Sequence, residues 1–168
     1  MEVMTALQAR RSIRKFTDEQ VSREAVDTLL HAAMSGPSAC NVRPWEFYVI
    51  RDAAVLDKLH GASRFTNIDA PLAIVVCGEQ TRTSSKHLAA YWVQDCSAAT
   101  ENILLAAVDI DLGAVWCGVY PQEGAEKCVR EALKLPETQI PLNIIYIGHP
   151  AESHRPRDQY NEEYVHYV

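Results

Sequence analysis

Two clusters of basic residues have the clearest chemical potential in this 168-residue sequence. The first contains Arg10, Arg11, Arg14 and Lys15 with Ser12 among them, and the second is the run His154-Arg155-Pro156-Arg157. Arginine carries a permanent charge and presents its N–H donors in a fixed fork, which suits a phosphate group. We therefore expect the clusters to bind a discrete anion such as a phosphate. The alternative is a solvated basic turn near each end of the chain.

The charge balance of the chain narrows the class of anion. Asp and Glu number 22 against 16 Lys and Arg, which gives a net charge of −6. Four of the 16 basic residues lie within residues 10–15, so the rest of the chain carries −6 − 4 = −10. An acidic chain of this kind is not expected to bind nucleic acid non-specifically. A small phosphate ligand fits better than a polyanion.

Familiar catalytic motifs are absent. The seven glycines never form Gly-x-Gly, so neither a dinucleotide-binding fingerprint nor a P-loop is present. There is no Gly-x-Ser-x-Gly or His-Glu-x-x-His motif, and the six histidines are scattered singly, so we expect no metal site. The side chains offer no convincing nucleophile or acid–base pair. Any enzymatic activity is therefore expected to depend on a cofactor that supplies the reactive atom.

Composition predicts one globular domain over residues 1–168. Apolar residues make up 48% of the chain, and no apolar run approaches the roughly 20 residues of a membrane span. The N-terminus lacks the apolar stretch of a signal peptide. Five cysteines without a Cys-x-x-Cys spacing argue against a disulfide framework or a structural zinc site. We expect a cytoplasmic protein that does not bind membranes.

Hydrophobic periodicity predicts alternating helices and strands. Helices are expected over residues 2–10, 23–34 with Ser22 as N-cap, 54–60, 88–108 and 123–133, and strands over 47–50, 72–77, 113–119 and 142–148. The apolar runs of the second and last strands predict a sheet covered on both faces. This order of elements favours an α/β or α+β sandwich.

The tail, residues 149–168, has no helix or hairpin pattern of its own. It contains Pro150 and Pro156 and ends with Tyr160, Tyr164 and Tyr167 among smaller apolar residues. Such a tail either frays or wraps over a neighbour. The late aromatic residues favour wrapping over a second subunit.

Four segments together carry a family resemblance. They are Ala9–Phe16 (ARRSIRKF), Gly36–Phe47 (GPSACNVRPWEF), Gly113–Gly118 (GAVWCG) and Gly148–Arg157 (GHPAESHRPR). In this order and spacing the chain resembles the short form of the nitroreductase family of flavin oxidoreductases, essentially from end to end.

The resemblance implies a fold, a cofactor and an assembly. The fold would be α+β, a three-layer α/β/α sandwich with a mixed central sheet. The assembly would be a homodimer that holds FMN at the subunit interface, with the C-terminal arm, residues 149–168, packed on the partner. NADH or NADPH would reduce the flavin, and a nitroaromatic, quinone or similar small molecule would accept the electrons in a ping-pong cycle.

The resemblance also implies which residues contact FMN. Those assigned to the phosphate and the pyrimidine side of the flavin are Arg10, Arg11, Ser12 and the nearby Arg14, joined by Arg155 and Arg157 from the tail. Those assigned to the loop that covers the ring of the partner subunit's flavin are Pro37, Ser38, Ala39 and Asn41. Asn41 would cap the turn or bond the flavin, and a plain helix C-cap and turn is the alternative for this segment.

The strand and turn over Gly113–Gly118 would approach the reactive flavin N5. In this resemblance Trp116, Cys117 and Gly118 lie near the ring, and a backbone N–H faces N5, so that no catalytic side chain is required. We expect Cys117 to pack in the core, with Cys40 the better candidate for a reactive thiol. A further flavin contact is expected from Arg64 or Asn67. Trp45 and Phe47 are expected in the core.

The sequence departs from the family pattern in two respects. Arg43 stands where many relatives have Gln, and no long insertion is present to cover the substrate cavity. We therefore expect a shallow, open flavin face.

Three other functions remain open from the sequence. They are cleavage of reduced flavin or removal of halogen from tyrosines on the same fold, a flavin-binding storage or sensor protein without turnover, and a small-anion or nucleic-acid binder without flavin.

Overall fold

A computed structural model describes all residues, 1–168, and contains six α-helices and one four-stranded sheet. The helices are α1 (Val3–Ala9), α2 (Arg23–Met34), α3 (Ala53–His60), α4 (Lys86–Ala89), α5 (Trp92–Asp109) and α6 (Glu123–Leu133). The strands are β1 (Trp45–Ile50), β2 (Leu72–Glu79), β3 (Gly113–Gly118) and β4 (Gln139–Gly148). Short 3-10 helices occur at Ala39–Asn41 and Glu162–Tyr164.

The sheet has the strand order β1-β2-β4-β3, and each neighbouring pair is antiparallel. The four strands therefore do not form the mixed sheet that was expected. The only parallel pairing is an isolated bridge between Ser12 and Ala114. The segment before Ile13 supplies a single paired residue there rather than a strand. β1 and β3 form the two edges of the sheet.

Helices cover both faces of the sheet, which gives the three layers expected from the sequence. One apolar core lies between the sheet and helices α2 and α5, and includes Leu29 and Ile103. The second lies between the sheet and helices α3 and α6, and includes Leu59 and Val129. β2 and β4 contribute to both cores because neighbouring residues of a strand point to opposite faces.

The N-cap predicted for α2 is present. The Ser22 hydroxyl accepts a hydrogen bond from the backbone N–H of Ala25 at 3.1 Å, which satisfies one of the free donors of the first turn. Val26, Leu29 and Ala33 are the buried residues of this helix, and they lie on one stripe.

Several element boundaries differ by one or two residues from the sequence prediction, and two elements differ more. The helix predicted over 88–108 is divided at Ala90 and Tyr91 into α4 and α5. β4 begins at Gln139 rather than at residue 142 and includes Pro141, which pairs with Cys77 where the register shifts. A proline fits a strand at such an irregularity because it has no N–H to donate to the ladder.

The tail follows its own subunit over its first nine residues. The backbone N–H of Ala151 donates to the carbonyl of Lys15 at 2.8 Å, and that of Arg157 donates to the carbonyl of Gln8 at 3.1 Å. Residues 158–168 form hydrogen bonds only among themselves, and their tyrosines are exposed. The packing of the C-terminal arm on a partner subunit stays a prediction. The hydrogen bonds within the subunit limit the part of the arm that is free to reach a partner to residues 158–168.

None of the helices is both long enough and apolar enough to cross a membrane.

Candidate functional site

The first basic cluster lies against the outer edge of β3. The backbone N–H of Ile13 donates to the carbonyl of Ala114 at 3.0 Å, next to the bridge formed by Ser12. Gly113 permits this approach, because a Cβ at that position would lie 2.8 Å from the Ile13 side chain. The arginines that flank Ser12 are thereby held at the sheet edge.

Both basic clusters, except for Lys15 of the first, line one recess of about 460 Å³, which we call the basic recess. Its lining residues are Arg10, Arg11, Ser12, Arg14, His154, Arg155, Pro156, Arg157 and Gln159. The structure therefore brings together all six residues that the family resemblance assigned to the phosphate and the pyrimidine side of the flavin. Arg11 links the two clusters, since its Nε donates to the backbone carbonyl of Arg155 at 3.1 Å.

Most of the positive charge in the basic recess is uncompensated. Arg10 pairs with Glu101, with 3.5 Å between Nε and Oε1. The other guanidinium groups have no carboxylate within 4.0 Å; they belong to Arg11, Arg14, Arg155 and Arg157. Four unpaired guanidinium groups around one recess favour a ligand with at least two negative charges.

Arg11 is the residue of the basic recess that has a buried side-chain nitrogen without a partner. Its Nη2 atom is buried and has no hydrogen-bond partner. Burial, followed by the neighbouring charges of Arg157 and Arg10, lowers the pKa of the Arg11 guanidinium. A buried donor without an acceptor is costly, and a phosphate oxygen would satisfy it. The residues present therefore fit the phosphate of FMN.

The end of β3 leaves room for a flat group. Gly118 is exposed, and a Cβ built there meets nothing within 4 Å. Its backbone conformation does not require glycine, because no glycine of the chain has a positive φ. Packing within the subunit does not require it either, because the space around its Cβ position is open. A glycine that the subunit itself does not need fits the close approach of an external ring to the backbone.

Cys117 is a packed thiol, which agrees with the sequence interpretation. It is buried, and its Sγ donates to the carbonyl of Phe65 at 3.3 Å. Burial raises the pKa of the Cys117 thiol to about 11. Cys40 is exposed, whereas Trp116, between Cys117 and Val115 on β3, is half-buried.

The contact of Phe65 with Cys117 places the loop of residues 63–67 beside β3. The Arg64 guanidinium lies 4.6 Å from the centre of the Phe65 ring, and both Arg64 and Asn67 are exposed. Neither residue lines the basic recess. Both remain candidates for a contact with the flavin.

Residues 37–43, which we call the covering loop, lie apart from the basic recess. The loop is strained, because Cys40, Asn41 and Arg43 have φ values of 48°, 56° and 51°. Each left-handed non-glycine residue costs on the order of 1 kcal/mol. The Ser38 hydroxyl accepts a hydrogen bond from the backbone N–H of Arg43 at 3.0 Å, which closes the loop on itself.

Asp95, which was not predicted from the sequence, holds the covering loop. Its Oδ1 accepts a hydrogen bond from the backbone N–H of Ala39 at 2.9 Å. A signal was available, because Asp95 falls on the buried stripe of α5 formed by Trp92, Cys96 and Ala99 at positions i, i+4 and i+7.

The aromatic residues that follow the covering loop pack as predicted. Trp45 belongs to the core on the α2 and α5 side of the sheet, and Phe47 packs against that core while staying partly exposed.

Comparison with protein families gives a match over most of the chain. The family model described as the Nitroreductase family matches residues 7–68 and 60–149. The chain belongs to the nitroreductase family. The matched ranges include the first basic cluster, the covering loop and β3, whereas the nitroreductase match ends before Arg155 and Arg157.

Similar proteins extend the match to nearly the whole chain. A Methanothermobacter thermautotrophicus protein with the inferred name NADH dehydrogenase/NAD(P)H nitroreductase is 44% identical over 168 residues, covering 99% of this chain and 86% of the relative. A crystal structure of a similarly named protein from Parabacteroides distasonis has a TM-score of 0.91 and 38% identity, covering 98% of this chain and 96% of the other.

One solved nitroreductase-like structure contains the cofactor. This protein from Desulfovibrio desulfuricans was crystallised in complex with FMN. It has a TM-score of 0.87 and 34% identity, and the match covers 100% of this chain and 97% of the other.

Proposed function

We propose that this nitroreductase-family chain is an NAD(P)H-dependent flavin oxidoreductase. It binds FMN and transfers reducing equivalents from NADH or NADPH to a small acceptor such as a nitroaromatic compound or a quinone. The observation that carries the proposal is the buried, unpartnered Nη2 of Arg11 within a recess of uncompensated guanidinium groups. Family membership and the FMN-bound structural relative support the same cofactor.

The basic recess and Gly118 would hold opposite ends of FMN. Arg11, Arg14, Arg155 and Arg157 would bind the phosphate. The four steps between consecutive residues from Ala114 to Gly118 advance about 13 Å along β3, a length that a ribityl chain and a flavin ring together can cover. The exposed backbone at Gly118 would then lie against the ring.

The chain's own residues would bind and orient the cofactor rather than react. The chemistry that bound FMN would supply is acceptance of hydride at N5 and release of electrons to the acceptor, in the proposed ping-pong order. The Gly118 backbone would face that atom without a side chain in between. Cys117 would stay protonated near neutral pH, because its pKa is raised to about 11, and so would not act as a thiolate.

The site would be completed by a second subunit. Tyr160, Tyr164 and Tyr167 are 71%, 81% and 88% exposed, although tyrosine normally buries much of its ring. These residues would pack on a partner chain, and the covering loop of that partner would lie over the flavin. All five cysteines are free, which favours a reducing compartment such as the cytoplasm.

Steady-state kinetics tests turnover and its order. FMN-loaded protein would be assayed with NADH and NADPH against menadione and a nitrobenzoate, with both substrates varied. We expect parallel double-reciprocal lines, which are typical of a ping-pong cycle. Intersecting lines would contradict the ping-pong order. Tight FMN binding without turnover would contradict the enzymatic role and favour a flavin-binding storage or sensor protein.

A further inference from the structure

Asp95 is a buried carboxylate with one hydrogen bond. It is 5% exposed, and its Oδ1 accepts from the backbone N–H of Ala39 at 2.9 Å. The second oxygen, Oδ2, is buried and has no hydrogen-bond partner.

The fold itself does not require a carboxylate at this position. The neighbouring buried residues of α5 are largely apolar, and an apolar residue at 95 would continue that stripe. Burying a carboxylate with one unsatisfied oxygen is unfavourable. Asp95 lies in the first turn of α5, where the helix dipole offsets only part of that cost.

The covering loop, by contrast, depends on Asp95. The bond from Ala39 is the only hydrogen bond between residues 37–43 and another part of the chain. The loop also contains three left-handed non-glycine residues, which persist only when the surroundings fix the backbone. Asp95 supplies this external fixation.

We infer that Asp95 is a positioning residue for the flavin site, acting through the Ala39 N–H on the covering loop. The inference rests on the proposed function, in which this loop lies over the flavin of the partner subunit. A loop held in its bound conformation before FMN arrives gives tighter binding, because less ordering is needed on binding. Asp95 therefore contributes to FMN affinity and to the environment of the flavin ring without touching the flavin.

Three variants and a control test this role. Asp95→Ala removes the acceptor, whereas Asp95→Asn keeps an oxygen that can accept from Ala39 and removes the charge. Ala39→Pro removes the donor and leaves Asp95 intact. The proline suits its site, because Ala39 begins the 3-10 helix and Ser38 is already extended at φ −142° and ψ 153°. Asp27→Ala removes an exposed carboxylate of α2 as the charge-matched control.

The measurements are the Kd for FMN, the visible circular dichroism of the bound flavin, and the Tm of the apoprotein. We expect Asp95→Ala and Ala39→Pro to raise the Kd about tenfold and to alter the flavin spectrum. We expect Asp95→Asn and Asp27→Ala to keep the wild-type spectrum and a Kd within about twofold of wild type. The apoprotein Tm of Asp95→Ala should equal or exceed that of wild type, because an unfavourable buried charge is removed.

Different results would contradict the positioning role of Asp95 and the proposed function. Wild-type Kd and spectrum in both Asp95→Ala and Ala39→Pro would overturn the positioning role while leaving the proposed function intact. Equal damage in Asp95→Asn and Asp95→Ala would also overturn it, since the hydrogen bond would then not be the cause. Should Asp95→Ala fail to fold, Ala39→Pro still tests the inference, because a wild-type Kd and spectrum in that variant would overturn it. Failure of the wild-type protein to bind FMN would instead contradict the proposed function.

Discussion

The Nε of Arg11 lies 3.1 Å from the backbone carbonyl of Arg155 and donates a hydrogen bond to it. This bond joins two basic segments that are 144 residues apart in the chain. It also uses one donor of Arg11 to fix the guanidinium, while Nη2 is left buried and unpaired. The first segment and the tail therefore form one anion site, and neither provides it alone.

Removal of the Arg11 side chain should weaken FMN binding. We expect Arg11→Ala to raise the Kd for FMN about 10- to 100-fold, since hydrogen bonds to charged groups contribute about 1.5–3 kcal/mol. Riboflavin lacks the phosphate, so its Kd for Arg11→Ala should equal its Kd for the wild-type protein. Arg23→Ala is the control, because Arg23 is exposed and pairs only with Asp27 on α2. Fluorescence titration gives both constants, and an equal loss for riboflavin would contradict the assignment of Arg11 to the phosphate.

Addition of one methyl group at Gly118 should weaken FMN binding without changing the stability of the apoprotein. A Cβ there meets no atom of the subunit, so Gly118→Ala should leave the Tm of the apoprotein within about 2 °C of wild type while it weakens FMN binding. Gly124→Ala, also in open space, should affect neither. Gly78→Ala should lower the Tm, because its Cβ would approach Cε3 of Trp92. Unchanged FMN affinity in Gly118→Ala would contradict a close approach of the ring.

The Cys117 thiol should make stability fall in alkaline solution. Burial raises its pKa from 9.0 to about 11 in the native state. Between these values the unfolded chain loses the proton first, so the native state binds more protons and the free energy of unfolding decreases as pH rises. Urea unfolding at pH 8 and pH 10.5 measures the change. We expect a smaller decrease in Cys117→Ala than in wild type, and an equal decrease would contradict the burial effect.

The last eleven residues should control assembly. Residues 158–168 make no hydrogen bond to the rest of their own subunit, and their tyrosines are exposed. We expect a chain ending at Arg157 to dissociate into monomers and to bind FMN more weakly, although the basic recess retains its arginines. Light scattering after size exclusion reports the mass. A truncated chain that stays dimeric at the same concentration would show that the tail does not hold the dimer.

Much of the layered fold could be predicted from residue patterns. The continuous apolar run at 72–77 indicated a strand buried on both faces, and β2 has this burial. The Ser22 cap likewise predicted where α2 begins, and the stripe of Val26, Leu29 and Ala33 is its buried face. These features were predictable because each depends on local chemistry and a short period.

The remaining features depend on contacts between distant parts of the chain. The union of Arg11 with Arg155 requires the tail to run back along residues 8–17, which no local pattern encodes. The direction of the strands was missed for the same reason, since pairing is set by the connections between strands. Asp95 was missed because an acidic residue in the first turn of a helix is ordinarily a solvated one.

The proposed function requires that this chain carry electrons from a nicotinamide cofactor through bound FMN. The most direct measurement is the visible absorbance of the FMN-loaded protein during anaerobic titration with NADH and with NADPH. We expect the flavin bands to bleach on addition of at least one donor and to return on addition of a quinone. Bands that persist with both donors would contradict the oxidoreductase activity. A protein that does not bind FMN would contradict the assignment of FMN as its cofactor.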